Sequence, residues 1–523
     1  MPSLAFIVFV PLAGAILARV IPMRDARLLR GLGIGCMLLS LAGMLFAMRT
    51  FVSYRKGFQL ETDWAWIASM GARFHLGIDG VAFWFVLLAY VLILVVLLSP
   101  QTQGFAPELV RKHMAALLAI GSGSLGVLVA LDMHTFFVFW ELTTVAMLLV
   151  VVPVTEGHRR RLLMKGLALV QAIAMLGMLA ILYRAVHRAT GTWSFDYTTW
   201  CSIVLPQSSQ LAGLGLLAIG LLAPLAMVAT GMGESRAWPG GSLLFTALSI
   251  ELFAFGMLRY GLVLFPLAWQ QLAPLFAGLA VAGIVLGSLL ANRQGDPELW
   301  AARAWVGQLG FVLLGIVTAT PQTVLGAVLQ TLAQGLSCAG LYLTITALQR
   351  RGPAEQLGGL KPYLVLVFLA ASGLPGLCGF VGEFLIILGG WRARGQWDEM
   401  QLAPLYMRAD IVAVIVALAA LAYAVGFVRM LAHLASGRGG SAPGASHRLT
   451  WGERVAFPVV LVAMLGLGLL PGKILNRLSY PVASVLVSAR ARAADARSHA
   501  ADPAHRFEPP AARAAGDLLR VFD

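Results

Sequence analysis

Long apolar runs constrain this chain more than any other feature of its sequence. A helix needs about 20 apolar residues to cross a bilayer, and about fourteen runs approach that length. The runs are continuous rather than alternating in short pieces, which favours helices over a membrane barrel. The sequence therefore predicts an all-α polytopic membrane protein with about 14 transmembrane helices. The runs cover roughly residues 3–21, 30–48, 78–99, 114–131, 134–154, 163–186, 211–232, 242–265, 272–291, 302–319, 323–348, 363–390, 409–431 and 455–471.

Composition excludes the main alternatives. Hydrophobic residues make up 59% of the 523 residues and charged residues only 12%, whereas an ordinary soluble domain is about 25% charged. A soluble enzyme and a disordered chain are both excluded. Four cysteines are too few for a disulfide scaffold. The net charge of +14 is spread over loops between the runs, as the positive-inside rule expects, and does not indicate nucleic-acid binding.

Loop charges predict an orientation. Basic residues are frequent in the loops after runs one, five, eleven and thirteen, which share one side. That side is cytoplasmic by the positive-inside rule, so both termini face away from the cytoplasm. The loops after runs two and twelve, with Arg49 and Arg392, conflict with this assignment. No cleavable signal peptide is evident, and we interpret the first run as helix one.

The longer loops and the tail have their own composition. Residues 50–77 contain Trp64 and Trp66, and we interpret this loop and residues 187–210 as interfacial segments with aromatic belts. The tail from about residue 485 is rich in Ala, Arg and Asp. We expect it to be a frayed or amphipathic extension.

Three acidic residues lie within the apolar runs: Glu141, Glu251 and Glu383. A charge at such a depth costs about 2.5–3.5 kcal/mol or more. A desolvated carboxyl group can bind and release a proton near neutral pH, so each is a candidate proton carrier. For each residue the alternative is a structural role, hydrogen-bonded to a neighbouring helix.

Glu383 follows the sequence Gly373-Leu374-Pro375-Gly376, which interrupts a straight helix. Broken helices at membrane depth are tolerated where they are buried in protein or line a cavity. This context favours an ion path at Glu383.

Other polar residues give weaker signals. Arg259 lies eight residues after Glu251 on roughly the same face, too far for direct contact. Lys165 is near the start of run six and can extend to the interface. Asp79 is placed to cap run three, and His75 is more typical of an interface than of a ligand. No metal-ligand spacing, phosphate loop, dinucleotide fingerprint or haem sequence is present, so the sequence predicts no redox centre in this chain.

Three stretches carry a family resemblance. Leu76–Gly80, Phe136–Glu141 and Gly373–Phe384, in this order and spacing, resemble the antiporter-like membrane subunits of the proton-pumping NADH:quinone oxidoreductase (complex I), subunit M in particular. The resemblance extends over about residues 70–435. Weaker support comes from Lys165 with Gln171, from Gly256–Tyr260 and from Gln334–Ser337.

The resemblance implies an architecture. It consists of two inverted five-helix repeats, with discontinuous helices seven and twelve, in a multi-pass protein of the bacterial inner membrane. It divides the chain into N-terminal helices 1–3 (1–110), a proton-translocation core of helices 4–13 (111–435), a helix 14 region (436–484) and a polar tail (485–523).

The resemblance also implies a function. Such a subunit lies in the membrane arm beside other membrane subunits and couples electron transfer to proton movement. By resemblance, Glu141 would begin the proton path and Glu383 would end it. Glu251, Lys165 and Arg259 are further candidates for the path. NADH, FMN, iron–sulfur clusters and quinone would belong to partner subunits, and this chain would carry no cofactor.

The middle of the family's path is altered. No lysine occurs between Lys165 and Lys361. The lysine of helix seven would fall near Gly220, and that of helix eight is replaced by Glu251. The expected histidines of helices ten and eleven are replaced by the glutamines Gln308 and Gln334, and the loop after helix seven reads Gly231-Met232-Gly233-Glu234-Ser235.

Three hypotheses therefore stay open. The first is a proton-translocating subunit with an altered path. The second is a divergent paralogue that keeps the fold and its docking surfaces but does not pump. The third is a subunit of a cation/proton antiporter, a membrane-bound hydrogenase or an inorganic-carbon uptake complex.

Overall fold

The structure is a computed structural model that describes residues 3–21, 25–52, 55, 57–99, 106–155, 157–231, 241–351, 361–392, 409–435 and 449–501. Its first half contains α1 (Leu4–Val20), α2 (Ala26–Ala47), β1 (Gln59–Ile67), β2 (Ala72–Ile78), α3 (Gly80–Leu98), α4 (Pro107–Val129), α5 (Met133–Val151), α6 (His158–Thr190), α7 (Tyr197–Cys201), α8 (Gln207–Gly231) and α9 (Gly241–Gly256).

A π-helical turn (Met257–Gly261) continues α9 into α10 (Leu262–Leu264). The remaining helices are α11 (Pro266–Ala291), α12 (Pro297–Thr318), α13 (Pro321–Arg351), α14 (Lys361–Ala371), α15 (Cys378–Arg392), α16 (Ala409–Ala435), α17 (Trp451–Leu469) and α18 (Pro471–Ala501).

The membrane architecture agrees with the apolar runs. Within the described residues, 11 helices are long and apolar enough to cross a membrane. Together with α1, α12 and the pair α14–α15, they account for every run expected from the sequence. The all-α polytopic fold class is therefore confirmed.

Burial identifies the helices at the centre. The span Leu243–Leu264 is 100% buried and that of α13 is 94% buried, whereas the spans of α2 and α6 are only 33% buried. The central helices pack on protein at all sides, while α2 and α6 leave apolar side chains for the lipid.

The span that the sequence numbers twelve is broken. α14 ends at Ala371 and α15 begins at Cys378. Gly373 and Gly376, in the link, have φ angles of 72° and 87°, a left-handed conformation that favours glycine. The predicted discontinuity is confirmed here. Span seven corresponds to α8, which contains Pro224 and is helical up to Gly231; residues 232–240 lie outside the described residues.

Residues 50–77 differ from the expected loop. β1 and β2 form an antiparallel hairpin, and Gly71 makes its turn with a φ angle of 66°. Trp64 and Trp66 are on β1, where about half of each side chain is exposed. The aromatic residues suggested an interfacial loop, but strand pairing supplies the hydrogen bonds that this backbone needs.

The C-terminal extension is a long helix as far as the structure describes it. α18 continues to Ala501, so the boundary expected near residue 485 falls within one helix. The Arg492 guanidinium donates hydrogen bonds to the carbonyl groups of Cys201, Ile203 and Val263. Of the two expectations for residues 485–501, the helical extension therefore applies.

Candidate functional site

The three carboxyl groups of the apolar runs lie on helices that pack in series. Glu141 is on α5, Glu251 on α9 and Glu383 on α15. α5 contacts α6, α6 contacts α8, α8 contacts α9, α9 contacts α13, and α13 contacts α15. The fold therefore places the three candidates along one succession of packed helices.

Glu141 is held by an amide. Gln171 Nε2, from α6, donates a 2.7 Å hydrogen bond to Glu141 Oε1. Gln171 is fully buried, whereas Glu141 is only partly buried. Lys165 is exposed on the same helix, six residues before Gln171. The residue that contacts Glu141 is thus a neutral amide, and Lys165 lies at the surface as the sequence suggested.

Gly220 is the position where the resemblance places the lysine of helix seven. Gly220 on α8 packs against the side chain of Met175 from α6. A Cβ atom at Gly220 would lie 2.8 Å from Met175 Cε, closer than real Cβ contacts allow. A larger residue at position 220 would therefore require the Met175 side chain to move.

Glu251 is fully buried in α9. Among the described residues, neither of its carboxylate oxygens has a hydrogen-bond partner. An ionised carboxylate without a donor or a cation is strongly destabilised in such surroundings, so this packing suits a neutral carboxyl group.

Arg259 is not the counter-ion of Glu251. It lies in the π-helical turn, and its Nη2 atom is 2.8 Å from Asp79 Oδ1. Its guanidinium also lies over the rings of Phe58 and Phe255, at 4.9 and 5.2 Å from their centroids. Because π-helical turns often mark functional sites, this arrangement is a candidate feature in its own right.

Asp79 has two functions at this place. Its side chain accepts hydrogen bonds from the backbone N–H groups of Val81 and Ala82, which confirms the predicted cap of α3. It also binds Arg259, which the sequence did not predict.

Glu383 lies in a cluster of glutamines. Gln308 Nε2 donates to Glu383 Oε1 at 3.0 Å, and Gln330 Nε2 donates to the same oxygen at 3.3 Å. Gln330 and Gln334 both donate to Gln308 Oε1, at 2.7 and 3.1 Å. All four side chains are buried. We call Gln308, Gln330, Gln334 and Glu383 the amide cluster.

The helix break shapes the space for Glu383. A Cβ atom at Gly373 would lie 2.6 Å from Glu383 Oε2, so the carboxylate approaches the link between α14 and α15 where only a glycine fits. The broken helix and the carboxylate, which the sequence connected by motif, are in direct contact.

Gln330 is the member of the amide cluster that sequence reasoning missed. It precedes Gln334 by four residues on α13, so both side chains lie on one face of the helix. A pair of glutamines at this spacing within an apolar run was the available signal.

The arrangement suits proton transfer better than metal binding. Carboxyl groups bind and release protons, whereas carboxamides donate and accept hydrogen bonds without ionising. Among the described residues, no group of three or more His, Cys, Asp or Glu side chains could hold a metal ion.

Comparison with known proteins shows the family. The model described as "NADH:quinone oxidoreductase/Mrp antiporter, TM" matches residues 130–403, a segment that contains all three carboxyl groups. The NADH-quinone oxidoreductase subunit M of Escherichia coli (strain K12) is 32% identical over 366 residues, which cover 64% of this chain and 69% of that protein. This chain belongs to the NADH:quinone oxidoreductase/Mrp antiporter family of membrane subunits. As a family member with 11 candidate spans in its described residues, it is an integral multi-pass membrane protein.

Solved structures agree with the fold of the family. A chain of the respiratory complex I from Thermus thermophilus with bound NADH superposes with a TM-score of 0.73 at 22% identity, covering 94% of this chain and 99% of that chain. A chain of the Mrp complex from Dietzia sp. DQ12-45-1b gives a TM-score of 0.71 at 16% identity, covering 99% and 59%. At these identities the likeness concerns the fold alone.

Proposed function

We propose that this protein is a membrane-arm subunit of an NADH:quinone oxidoreductase-type complex in the bacterial inner membrane, where it couples electron transfer to proton translocation. The observation that carries the proposal is a series of three carboxyl groups on helices that pack in succession within the family segment: Glu141, which is partly buried, and Glu251 and Glu383, which are buried. The relative from Escherichia coli bears the name of such a subunit. NADH, FMN, iron–sulfur clusters and quinone would be held by partner subunits.

In the proposed path, each of the three carboxyl groups has a different role. Glu141, oriented by Gln171, takes up the proton, Glu251 holds it at the centre, and Glu383 releases it through the amide cluster. Lys165 is exposed near one end of the path, and Arg259 fixes the π-helical turn that follows Glu251. Without central lysines, proton transfer between these carboxyl groups would depend on water molecules, since carboxamides do not ionise.

A specific observation favours the second candidate function, a structural subunit that does not pump. Met175 occupies the space beside Gly220, so a lysine at the position where the resemblance places the family's cation would have to displace the Met175 side chain. Under this hypothesis the chain contributes docking surfaces to a complex, and its carboxyl groups stay neutral.

The first experiment identifies the parent complex. The tagged chain is purified from its own membranes in mild detergent, followed by mass spectrometry and an NADH:quinone assay of the eluate. Recovery with flavin and iron–sulfur subunits and NADH oxidation supports the proposed complex. Recovery with the subunits of an antiporter, a hydrogenase or a carbon-uptake system would overturn it.

The second experiment tests pumping within that complex. Glu141→Gln should abolish NADH-driven acidification of inverted membrane vesicles while subunit assembly stays intact. Glu108→Gln, which changes an exposed carboxyl group in the first turn of α4, is the matched control and should pump normally. Normal pumping by Glu141→Gln would instead support the structural subunit.

A further inference from the structure

His75, on β2, lies between two carboxylates outside the membrane-spanning helices. Its Nδ1 atom is 2.7 Å from Asp196 Oδ2, and its Nε2 atom is 3.1 Å from Glu61 Oε2. The side chains of His75 and Asp196 are only 7% and 10% exposed, whereas that of Glu61 is 49% exposed. The imidazole thus connects an exposed carboxylate to a buried one.

The cluster lies where the hairpin is attached to the helix bundle. Glu61 and His75 belong to the hairpin, while Asp196 precedes α7 and caps it through the N–H groups of Thr198 and Thr199. The His75–Asp196 contact is therefore a bond between the hairpin and the bundle that depends on a titratable group.

Other bonds at this attachment use the backbone. The N–H group of Leu131 donates to the His75 carbonyl at 2.8 Å, and the Thr135 hydroxyl donates to the Arg73 carbonyl at 2.9 Å. The Arg73 N–H group donates to Asp132 Oδ2 at 3.1 Å. These bonds also hold the hairpin to the bundle. Among the groups that form them, only the Asp132 carboxyl group titrates between acid and neutral pH.

The charges around His75 determine its proton affinity. Burial lowers the pKa of His75, but hydrogen bonds to Asp196 and Glu61 and the charge of Asp63 outweigh that effect, so its pKa is raised above the ordinary value. Burial raises the pKa of Asp196, and the hydrogen bonds from His75 and Thr198 more than reverse this, so its pKa is lowered.

Two further titratable groups face the same attachment from the bundle. Burial raises the pKa of Asp132 to about 6, partly offset by the backbone N–H groups of Arg73, Thr135 and His134. The ring of His134, at the start of α5, packs against Trp66. On the hairpin itself, Arg73 forms an ion pair with Asp63.

We propose that Glu61, His75 and Asp196 form a proton-binding site that fastens the hairpin to the helix bundle. Binding of a proton to the imidazole tightens the hairpin, and its loss loosens it. This inference goes beyond the proposed function, because it holds whether or not the chain translocates protons.

The direction in which pH changes the stability of the docked hairpin follows from proton linkage. A histidine whose pKa is raised in the docked state stabilises that state fully below its ordinary pKa of about 6.5 and ceases to do so as the pH rises through the raised value. Asp132 acts in the same direction, because its ionisation above about pH 6 opposes burial. Asp196, whose pKa is lowered, acts oppositely at lower pH, so the hairpin is held most firmly at mildly acidic pH and is loosened by alkali.

The test measures hydrogen–deuterium exchange of peptides from the hairpin in the purified full-length protein, from about pH 5.5 to about pH 8.5. Rates are corrected for the intrinsic pH dependence of exchange. We expect protection of the wild-type hairpin to fall severalfold as the pH rises, and His75→Gln to remove this dependence except for the part near pH 6 that Asp132 contributes. His187→Gln is the matched control, because this histidine stacks on Trp193 and should leave the dependence unchanged.

Glu61→Gln provides a second variant, since its exposed side chain can be changed without disturbing the core. It should lower protection at acidic pH and flatten the pH profile. Wild-type protection that is constant with pH, or the same profile in wild type and both variants, would overturn the proposal.

Discussion

Asp79 Oδ1 and Arg259 Nη2 lie 2.8 Å apart, which joins the first turn of α3 to the π-helical turn that follows α9. Both side chains are largely buried. Two sequence motifs that are 180 residues apart, around Gly80 and around Tyr260, are thus connected by one ion pair. Because the π-helical turn directly follows the helix of Glu251, this pair fixes the end of the segment that carries the central carboxyl group.

Removal of one member of this pair should destabilise the protein strongly. Arg259→Gln leaves Asp79 without its cation, and breaking a buried pair in this way costs about 3–5 kcal/mol. The free energy of unfolding can be measured by denaturant titration in detergent micelles. Asp79→Asn combined with Arg259→Gln should recover part of the loss, since neither charge is then left unpaired. Equal stability of Arg259→Gln and wild type would contradict this prediction.

A lysine at position 220 should be tolerated only if the neighbouring Met175 is replaced by a smaller residue. Gly220→Lys forces the Met175 side chain away, and overpacking of this kind costs about 1–3 kcal/mol. Met175→Ala together with Gly220→Lys should restore much of the melting temperature in detergent. Met175→Ala alone is the control for the cavity that it creates. If the single Gly220→Lys variant melts like wild type, Met175 does not fill this space.

The amide cluster should depend on Gln308. Gln308→Leu removes one donor to Glu383 and the acceptor shared by Gln330 and Gln334, and each unsatisfied buried group costs about 1–3 kcal/mol. We expect a lower melting temperature and slower acidification of inverted vesicles. The control is Thr331→Val, which loses only a bond to its own helix. Wild-type stability and acidification in Gln308→Leu would exclude a role for the cluster.

The link between α14 and α15 provides a matched pair of glycines. Gly373→Ala and Gly376→Ala both place a side chain at positive φ, which costs about 1–2 kcal/mol each. Only at Gly373 does the new Cβ atom meet Glu383, because the space beside Gly376 is open. Both variants should lose similar stability, while only Gly373→Ala slows proton translocation in vesicles. Equal translocation by the two variants would show that contact with Glu383 is unimportant.

The membrane fold could be predicted because its main signals are local. The length of an apolar run is enough to predict a membrane span. The glycines around Leu374 and Pro375 predict the break before α15. The cap of α3 by Asp79 was also predictable, because a cap needs only the residues of one turn.

The hairpin and its proton-binding cluster could not be predicted in this way. His75 is one of nine histidines and has no other histidine near it in the sequence. Its partners Glu61 and Asp196 are 14 and 121 residues away. Trp64 and Trp66 favoured an interfacial loop, since pairing of β1 with β2 leaves only a weak pattern in a segment this short. Contacts that are distant in the chain decide both features.

The amide cluster also combines a residue that could be predicted from local sequence with residues that could not. Glu383 was a clear candidate because a carboxylate in an apolar run is costly, whereas a buried glutamine is less conspicuous. Gln308 and Gln334 were noticed only as replacements for expected histidines. Gln330 was missed because its partner Glu383 is 53 residues away on another helix.

The hydrogen bonds of Gln308 have a direction. Its amide nitrogen donates to Glu383 while its oxygen accepts from Gln330 and Gln334. A protonated Glu383 gains one O–H donor while its other oxygen still accepts, so Gln308 must rotate only if the proton is on the oxygen that it now contacts. Rotation withdraws the acceptor that the two glutamines of α13 share. A proton on this oxygen of Glu383 would therefore reverse the direction of the hydrogen bonds throughout the amide cluster.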